Sequence, residues 1–305
     1  MDETVATGGI EVLRCGPLGT VQDTGRPGWA SLGVGTSGAA DAASAALANR
    51  LVGNVPEAAV VELSFGAALA FRQRARVAVT GAPCTVSHGG RGEGMNAPFD
   101  VPAGQTLVVG PASVGLRTYV AVRGGLDVPV VLGSRSTNML SGLGPPPLSA
   151  GMVLPIGDAY SGPPPTVEVA PVRAPSADEL VVRVAPGPRD DWFTEDATTT
   201  LYTAAYTVTA DCDRVGVRLD GPALTRSRDG ELPSEGMVTG AIQVPPDGTP
   251  IVFLADHPVT GGYPVIGVVL AADLPVLAQA RPGQVVRFRR CGTPRRSGAR
   301  SLPGT

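Results

Sequence analysis

The chain has 305 residues, 43% of them apolar and 17% charged, enough for two packed domains and too apolar for a disordered segment. A net charge of −3 argues against a nucleic-acid or membrane-surface partner. All 24 basic residues are arginine, which argues against a P-loop and excludes Schiff-base chemistry and covalent biotin attachment on this chain, since each needs a lysine.

In chain order, residues 1–9 are small and polar and read as a frayed end. IEVLRCGPL (10–18) alternates as a strand does. Glycine-set loops follow, VQDTGRPGW (21–29) and LGVGTSG (32–38). Ser37 is expected to N-cap a helix over 39–52, in which Leu47 and Leu51 lie four apart and Gly53 is the left-handed residue at the end. Short apolar strands at 59–65, 68–71, 76–80, 84–87, 106–109 and 117–122 are parted by turn residues at short intervals. They point to a mainly β barrel or sandwich with few short helices. Residues 161–179 hold five prolines and little core material. They read as a linker between an N-terminal β domain (10–160) and a C-terminal one (180–290). The second half opens with a strand from 179 and a short helix near Asp190 with acids at its start. Strands near 206–209, 215–219, 241–244, 251–255 and 265–270 follow, then a short helix from about Asp273 stopped by Pro282. Residues 291–305 read as a basic disordered tail, with a docking arm for an acidic partner as the sharper alternative. The stretches 99–109, 148–156 and 278–288 share a turn containing Ala-Gly or Pro-Gly that leads into a strand. Chance recurrence aside, this suggests a paired β-barrel architecture.

Cys15, Cys84, Cys212 and Cys291 have no zinc or iron–sulfur spacing, and the only histidines, His88 and His257, form no pair, so no metal site is expected. With no signal peptide and no apolar span, the expectation is a cytoplasmic protein with free thiols. No G-x-S-x-G elbow supports serine hydrolysis, and His88, in SHGGRG, has no assigned role. The reactive vocabulary sits in polar loops. QDTGR carries Asp23 and Arg26. LGSRST carries Arg135 and Ser136, and the planar fork of Arg135 suits a carboxylate. DRVG carries Arg214, and ELPSEG carries Glu235; these two could simply pair. Gln243 faces away from its neighbours Ile242 and Val244. DHPVTGGYP carries Asp256, His257, Thr260, Gly261, Gly262 and Tyr263. If Gly261 and Gly262 take positive φ, their N–H groups form an oxyanion nest. The bland readings are an Asx turn at Asp23 and a hairpin or bulge at Gly261.

GPLGTVQDTGRPGW, GVGTSGAADAASAALANRLVGN, GLDVPVVLGSRST, PGPRDDWF, DRVGVRLDGPAL and SEGMVTGAIQVPPDGTPIVFLADHPVTGGYP resemble, in one order, the allophanate hydrolase subunit 2 or biotin-dependent carboxyltransferase family. The resemblance covers about residues 10–290. It implies two cyclophilin-like β-barrel domains. Members include the C component of bacterial 5-oxoprolinase and the carboxyltransferase part of urea carboxylase, and a chain without a fused biotin carrier looks more like the former. The implied activity is that of one member of an ATP-dependent complex opening the lactam 5-oxoproline to L-glutamate. Its implied partners are the B component of 5-oxoprolinase (allophanate hydrolase subunit 1-like) and the A component, with ATP on a partner and no activity alone. One implied alternative is carboxyl transfer to urea or a related amide, with biotin on a separate carrier. Another is a regulatory partner of a kinase-inhibitor protein. On the first reading Asp256, Glu235 and Asp23 are the catalytic or orienting acids. Gln243, Arg135, Ser136, Arg26, Arg214, His257, Thr260, Gly261, Gly262 and Tyr263 hold substrate. The family usually reads A-D-R-Q-T-T-G-G-Y-P at the last loop, and here His257 and Pro258 stand for Arg and Gln. That trades a permanent bidentate cation for a ring that is charged only when protonated.

Overall fold

A computed structural model describes residues 8–228, 230 and 232–291. The strand Ile10–Cys15 follows the sequence alternation at its start, with Ile10 and Val12 fully buried and Leu13 exposed. It lies in a six-stranded sheet in the order Val153–Leu154, Ile10–Cys15, Ala67–Phe71, Thr106–Val109, Val86–His88, Arg91–Glu93. A five-stranded sheet runs Leu18–Gln22, Val60–Ser64, Arg117–Val122, Ala75–Gly81, Pro98–Val101. The two sheets enclose one core, with Val12, Leu69 and Leu107 meeting Val61, Val77 and Val120.

Helix α1 (Ala42–Val52) lies on the outer face of the five-stranded sheet. Its Ala45 and Ala48 have no side chain beyond Cβ, so it approaches Ala78, Tyr119 and Ala121 closely. Gly53 ends it at φ 73°, as the sequence predicts. The cap differs from expectation. Asp41, directly before the helix, accepts from the Ser44 amide at 3.0 Å. Ser37 instead takes φ 58° and sends its hydroxyl across the molecule.

The second half is a closed seven-stranded barrel: Leu180–Pro186, Val265–Val269, Ala241–Gln243, Ile251–Phe253, Gly216–Asp220, Tyr206–Val208, Val285–Arg290. Parallel pairing of the first and last of these strands, Leu180 opposite Val286, closes it and removes the edges. Val182, Leu219, Ile242, Val252 and Phe288 fill it. Helix α2 (Glu195–Thr203) is capped by Thr194, which accepts from the Ala197 amide at 3.1 Å, and α3 (Leu274–Ala278) follows the strand Val265–Val269. The three repeated phrases fold alike. Gly104, Gly151 and Gly283 take φ of 79°, 87° and 86°, each just before a strand. Segment 161–179 has neither helix nor strand, and the predicted tail lies outside the described residues beyond Cys291. Among the described residues no helix is long and apolar enough to cross a membrane.

Candidate functional site

The strand Val60–Ser64 carries one charged residue, Glu62, which is 3% exposed. A buried carboxylate needs charge and hydrogen bonds around it. Two arginines supply the charge, one from each half. Arg214, fully buried and carried by the loop before Gly216–Asp220, donates Nη1 to Glu62 and Nη2 to the Gly38 carbonyl. Arg117, from Arg117–Val122, brings Nε within 3.5 Å of Glu62 and donates Nη1 to the Ala278 carbonyl in the other half. Tyr119 Oη donates to Glu62 at 2.8 Å and accepts the Asp41 amide at 2.8 Å. Burial alone would raise the Glu62 carboxyl, but Arg214 and then Arg117 outweigh it and hold the group below its usual value. Burial would likewise lower Arg214, yet Glu62 and Asp256 keep it cationic. Tyr119 is pushed well up by burial and by Glu62 and Asp41, so it stays a phenol donor.

Asp256 closes this network from the other side. It is fully buried and accepts from Arg214 Nε at 2.9 Å, Ser37 Oγ at 2.6 Å and the Met139 amide at 3.0 Å. Three loops of the first and second halves, 23–38, 131–144 and 254–258, therefore meet at one carboxylate. Asp23 ties the first two loops together. It accepts from the Gly25 amide (2.8 Å), Ser134 Oγ (2.7 Å), the Arg135 amide (2.6 Å) and Ser136 Oγ. The Asx-turn reading of Asp23 thus holds locally, with the long-range bonds added. Arg26, 1% exposed, donates to the carbonyls of Val131 (3.3 Å) and Ser136, and its Nη1 is buried without a partner. Burial lowers its guanidinium against the pull of Asp23 and Asp256.

The remaining predicted residues, Arg135 apart, lie on the barrel's loops and at the end of its strand Ala241–Gln243. A two-stranded ribbon pairs Glu235–Gly236 with Thr260–Gly261. Glu235 pairs with Arg189, whose Nε lies 2.9 Å away, and not with Arg214. That contact holds the partly exposed Glu235 carboxyl below its usual value. Neither Gly261 nor Gly262 takes a positive φ, so the expected oxyanion nest does not form. Ladder pairing holds Gly261 extended. A Cβ there would stand 2.5 Å from Gln243 Nε2, the end of a side chain that would have to shift. Gln243 donates to the Tyr263 carbonyl at 3.2 Å. Thr260 and Tyr263 are exposed, and the Arg226 guanidinium stands 5.8 Å from the Tyr263 ring centroid. His257 stacks on Phe253 at 5.9 Å, and its Nδ1 lies 2.7 Å from the Pro258 carbonyl. A carbonyl can only accept, so Nδ1 carries the hydrogen and, in a neutral ring, Nε2 keeps its lone pair. Arg135 points elsewhere. Its Nε donates to the Val128 carbonyl (2.9 Å) and Nη2 to Asp127 (2.7 Å), beside a cavity of about 140 Å³ that Asp158 also lines.

The sequence reading missed Glu62, Tyr119, Arg117 and Ser37 as members of this centre. Glu62 had a signal, a lone acid inside VVELS. Around the centre, Trp29, Leu32, Leu132, Met139, Leu140 and Tyr263 are large apolar side chains on these same loops that remain exposed. Among the described residues no three His, Cys, Asp or Glu side chains are placed to hold a metal.

The family model for the carboxyltransferase domain, subdomain A and B, matches residues 32–290. The C component of Escherichia coli 5-oxoprolinase is 34% identical over an alignment of 290 residues that covers 92% of this chain and 91% of that protein. The crystal structure of K. lactis urea amidolyase superposes with a TM-score of 0.88 at 31% identity, over 93% of this chain but only 19% of that one. The crystal structure of TTHA0988 gives a TM-score of 0.85 at 36% identity, over 95% of this chain and 57% of that one. The chain thus spans about a fifth and somewhat over half of these two solved chains. Match length, identity and fold agree, and the chain belongs to the carboxyltransferase domain, subdomain A and B, family.

Proposed function

We propose that the chain is one member of an ATP-dependent 5-oxoprolinase complex that opens 5-oxoproline to L-glutamate. The observation that carries this reading is the end-to-end match to the C component of 5-oxoprolinase, 92% of this chain against 91% of that protein. The site geometry supports a protein that does not act alone. Each acid nominated for catalysis is already engaged: Asp256 by Arg214, Glu235 by Arg189, Asp23 by two amides and two hydroxyls. None is a free general base, so the acid–base groups come from a partner, and these three hold the loops in place.

The substrate-facing groups of this chain are then His257 Nε2, Gln243 and the hydroxyls of Thr260 and Tyr263. Nε2, with Nδ1 committed to Pro258, accepts the lactam N–H. Arg226, packed on Tyr263, supplies the cation for the substrate carboxylate that the family's usual Arg would otherwise give. ATP sits on a partner protein, because this chain has no lysine for its phosphates, and it supplies the phosphoryl group that activates the lactam oxygen. The exposed apolar loop residues around the centre supply the surface for that partner, the B component, with the A component completing the complex.

A second reading has its own support. The superposition on K. lactis urea amidolyase favours carboxyl transfer to urea or a related amide, with biotin on a separate carrier. One experiment separates the two. The chain is combined with its two sister proteins, and product is measured with ATP and 5-oxoproline, or with carboxylated biotin carrier and urea. Glutamate formation that requires this chain supports the proposal. Carboxylated urea, or glutamate made equally well without this chain, overturns it.

A further inference from the structure

Ser37 holds φ 58°, a left-handed conformation that L side chains disfavour and glycine takes freely. The surrounding loop enforces it. The Arg26 amide donates to the Thr36 carbonyl at 2.7 Å and the Ala39 amide to the Asp23 carbonyl at 3.0 Å, so both ends of 36–39 are tied to the loop that Asp23 braces. The two loops cross at backbone contact. A Cβ on Gly25 would stand 2.5 Å from the Thr36 carbonyl oxygen, and one on Gly38 would stand 3.0 Å from the Gly25 nitrogen. By backbone alone, glycine suits position 37 better than serine. Strain kept at one position points to a role for its side chain.

Ser37 Oγ has a single hydrogen. It lies 2.6 Å from Asp256 Oδ1 and 3.1 Å from the Thr137 carbonyl, which already accepts Gln22 Nε2 at 2.9 Å. The shorter, charge-assisted contact to the carboxylate is the one it fills. Asp256 does not need that bond for charge. Arg214 meets both carboxylate oxygens from the second half, Nε at 2.9 Å and Nη2 at 3.2 Å. What Ser37 adds is direction, from the first half. Asp256 sits in a turn closed by the His257 amide on the Leu254 carbonyl at 3.3 Å, so a tilt of its carboxylate carries over to His257. A second contact falls on His257 itself. Gly35 stands so close to the His257 carbonyl that a Cβ would be 3.2 Å from its oxygen, and Gly35 has no positive φ to explain the glycine. Residues 35 and 37 therefore bear on two consecutive residues of the 256–264 stretch.

We propose that Ser37 is a positioning residue: through Asp256, and with Gly35 beside it, it sets where the His257 ring meets substrate. Ser37 is 8% exposed and its hydroxyl is taken, so it acts through His257 and not on substrate. The first half thereby controls a group carried by the barrel of the second. The consequence for turnover rests on the function proposed above, whereas the placement of the ring does not.

Two variants separate position from stability. Ser37→Ala and Ser37→Gly both lose the hydroxyl, but only Ser37→Gly relieves the backbone, so its thermal midpoint lies above that of Ser37→Ala. The chain has only two histidines, so in proton–carbon NMR spectra of the histidine-labelled full chain the His257 ring is assigned by its loss in His257→Ala. The expected result is that the His257 ring signals move in both Ser37 variants and in Gly35→Ala, while those of His88 stay. In the assembled three-protein complex, kcat for glutamate release falls roughly tenfold in both Ser37 variants, with KM changed less than about threefold. His257 signals unmoved in both Ser37 variants overturn the proposal. So does turnover that follows the midpoint, near wild type in Ser37→Gly and low only in Ser37→Ala. A wild-type complex that releases no glutamate overturns the proposed function alone, and the ring signals still decide the role of Ser37.

Discussion

Replacing Arg214 with methionine removes the cation that both Glu62 and Asp256 depend on. At 2.9 Å from Asp256, the guanidinium contributes an attraction of about 6 kcal/mol at an effective dielectric of about 20. The cost of stripping water from the three charged groups offsets much of it in the wild type. The variant keeps that cost and loses the attraction. Two carboxylates, 3% and 0% exposed, are left without their shared partner. Each retains some support. Glu62 keeps Arg117, Tyr119 and the Ala40 amide, and Asp256 keeps Ser37 and the Met139 amide. The loss is therefore expected at about 3–5 kcal/mol, the range for breaking one buried pair, and not at twice that. For a chain of this size it lowers the thermal midpoint by about 6–15 °C. Urea unfolding followed by circular dichroism reads the same loss as a lower midpoint. A decrease under about 1 kcal/mol would refute the view that Arg214 clamps the halves. So would full rescue by Arg214→Met combined with Asp256→Leu alone, since Glu62 would still be short of charge.

Glu62 also sets an acid limit. Its folded carboxyl lies below the ordinary value of 4.5, so the unfolded chain binds its proton more readily. The stability it contributes is complete above that value and is lost as pH falls through the lower folded one. The urea midpoint is expected to fall less steeply with acid in Glu62→Gln than in wild type, measured from about pH 6 to 3. Gly261→Ala places a methyl 2.5 Å from Gln243 Nε2 and should turn that amide away from the Tyr263 carbonyl, at a cost of about 1 kcal/mol and with displaced Gln243 side-chain amide resonances. Asp23→Asn turns an acceptor of four donors into a group with two donors of its own. It should cost about 2–3 kcal/mol and raise proteolysis in loop 131–144, whereas an unchanged cleavage rate would contradict the bracket assigned to Asp23.

The mainly β architecture was legible because its signals are local. Alternation placed the strand Ile10–Cys15, Gly53 marked the end of α1, and three glycine turns each led into a strand. The family was legible because several motifs kept one order. What each polar side chain binds was not, because those partners are distant in sequence. Glu235 and Arg214 share a region of the chain, yet their partners are Arg189 for one and Glu62, 152 residues away, for the other. Ser37 sat where a cap is expected, but Asp41 is nearer the first helical turn, and Ser37 reaches Asp256 across 219 residues. Gly-Gly read as a nest because glycine permits positive φ. Ladder pairing with Glu235 held Gly261 extended, and its close neighbour is Gln243, which no spacing rule reveals.

On the proposed function, the 256–264 stretch faces substrate in an oxoprolinase complex while Arg214 holds it from behind. The most direct measurement is ATP-dependent glutamate release by the assembled three-protein complex carrying His257→Ala. His257 contributes a ring nitrogen and a stack on Phe253, and none of the buried ion pairs. Release is expected to fall roughly tenfold to a hundredfold while the complex still assembles, with a modest loss of thermal midpoint because the ring is buried. Release at the wild-type rate from an intact complex would contradict that reading of the stretch.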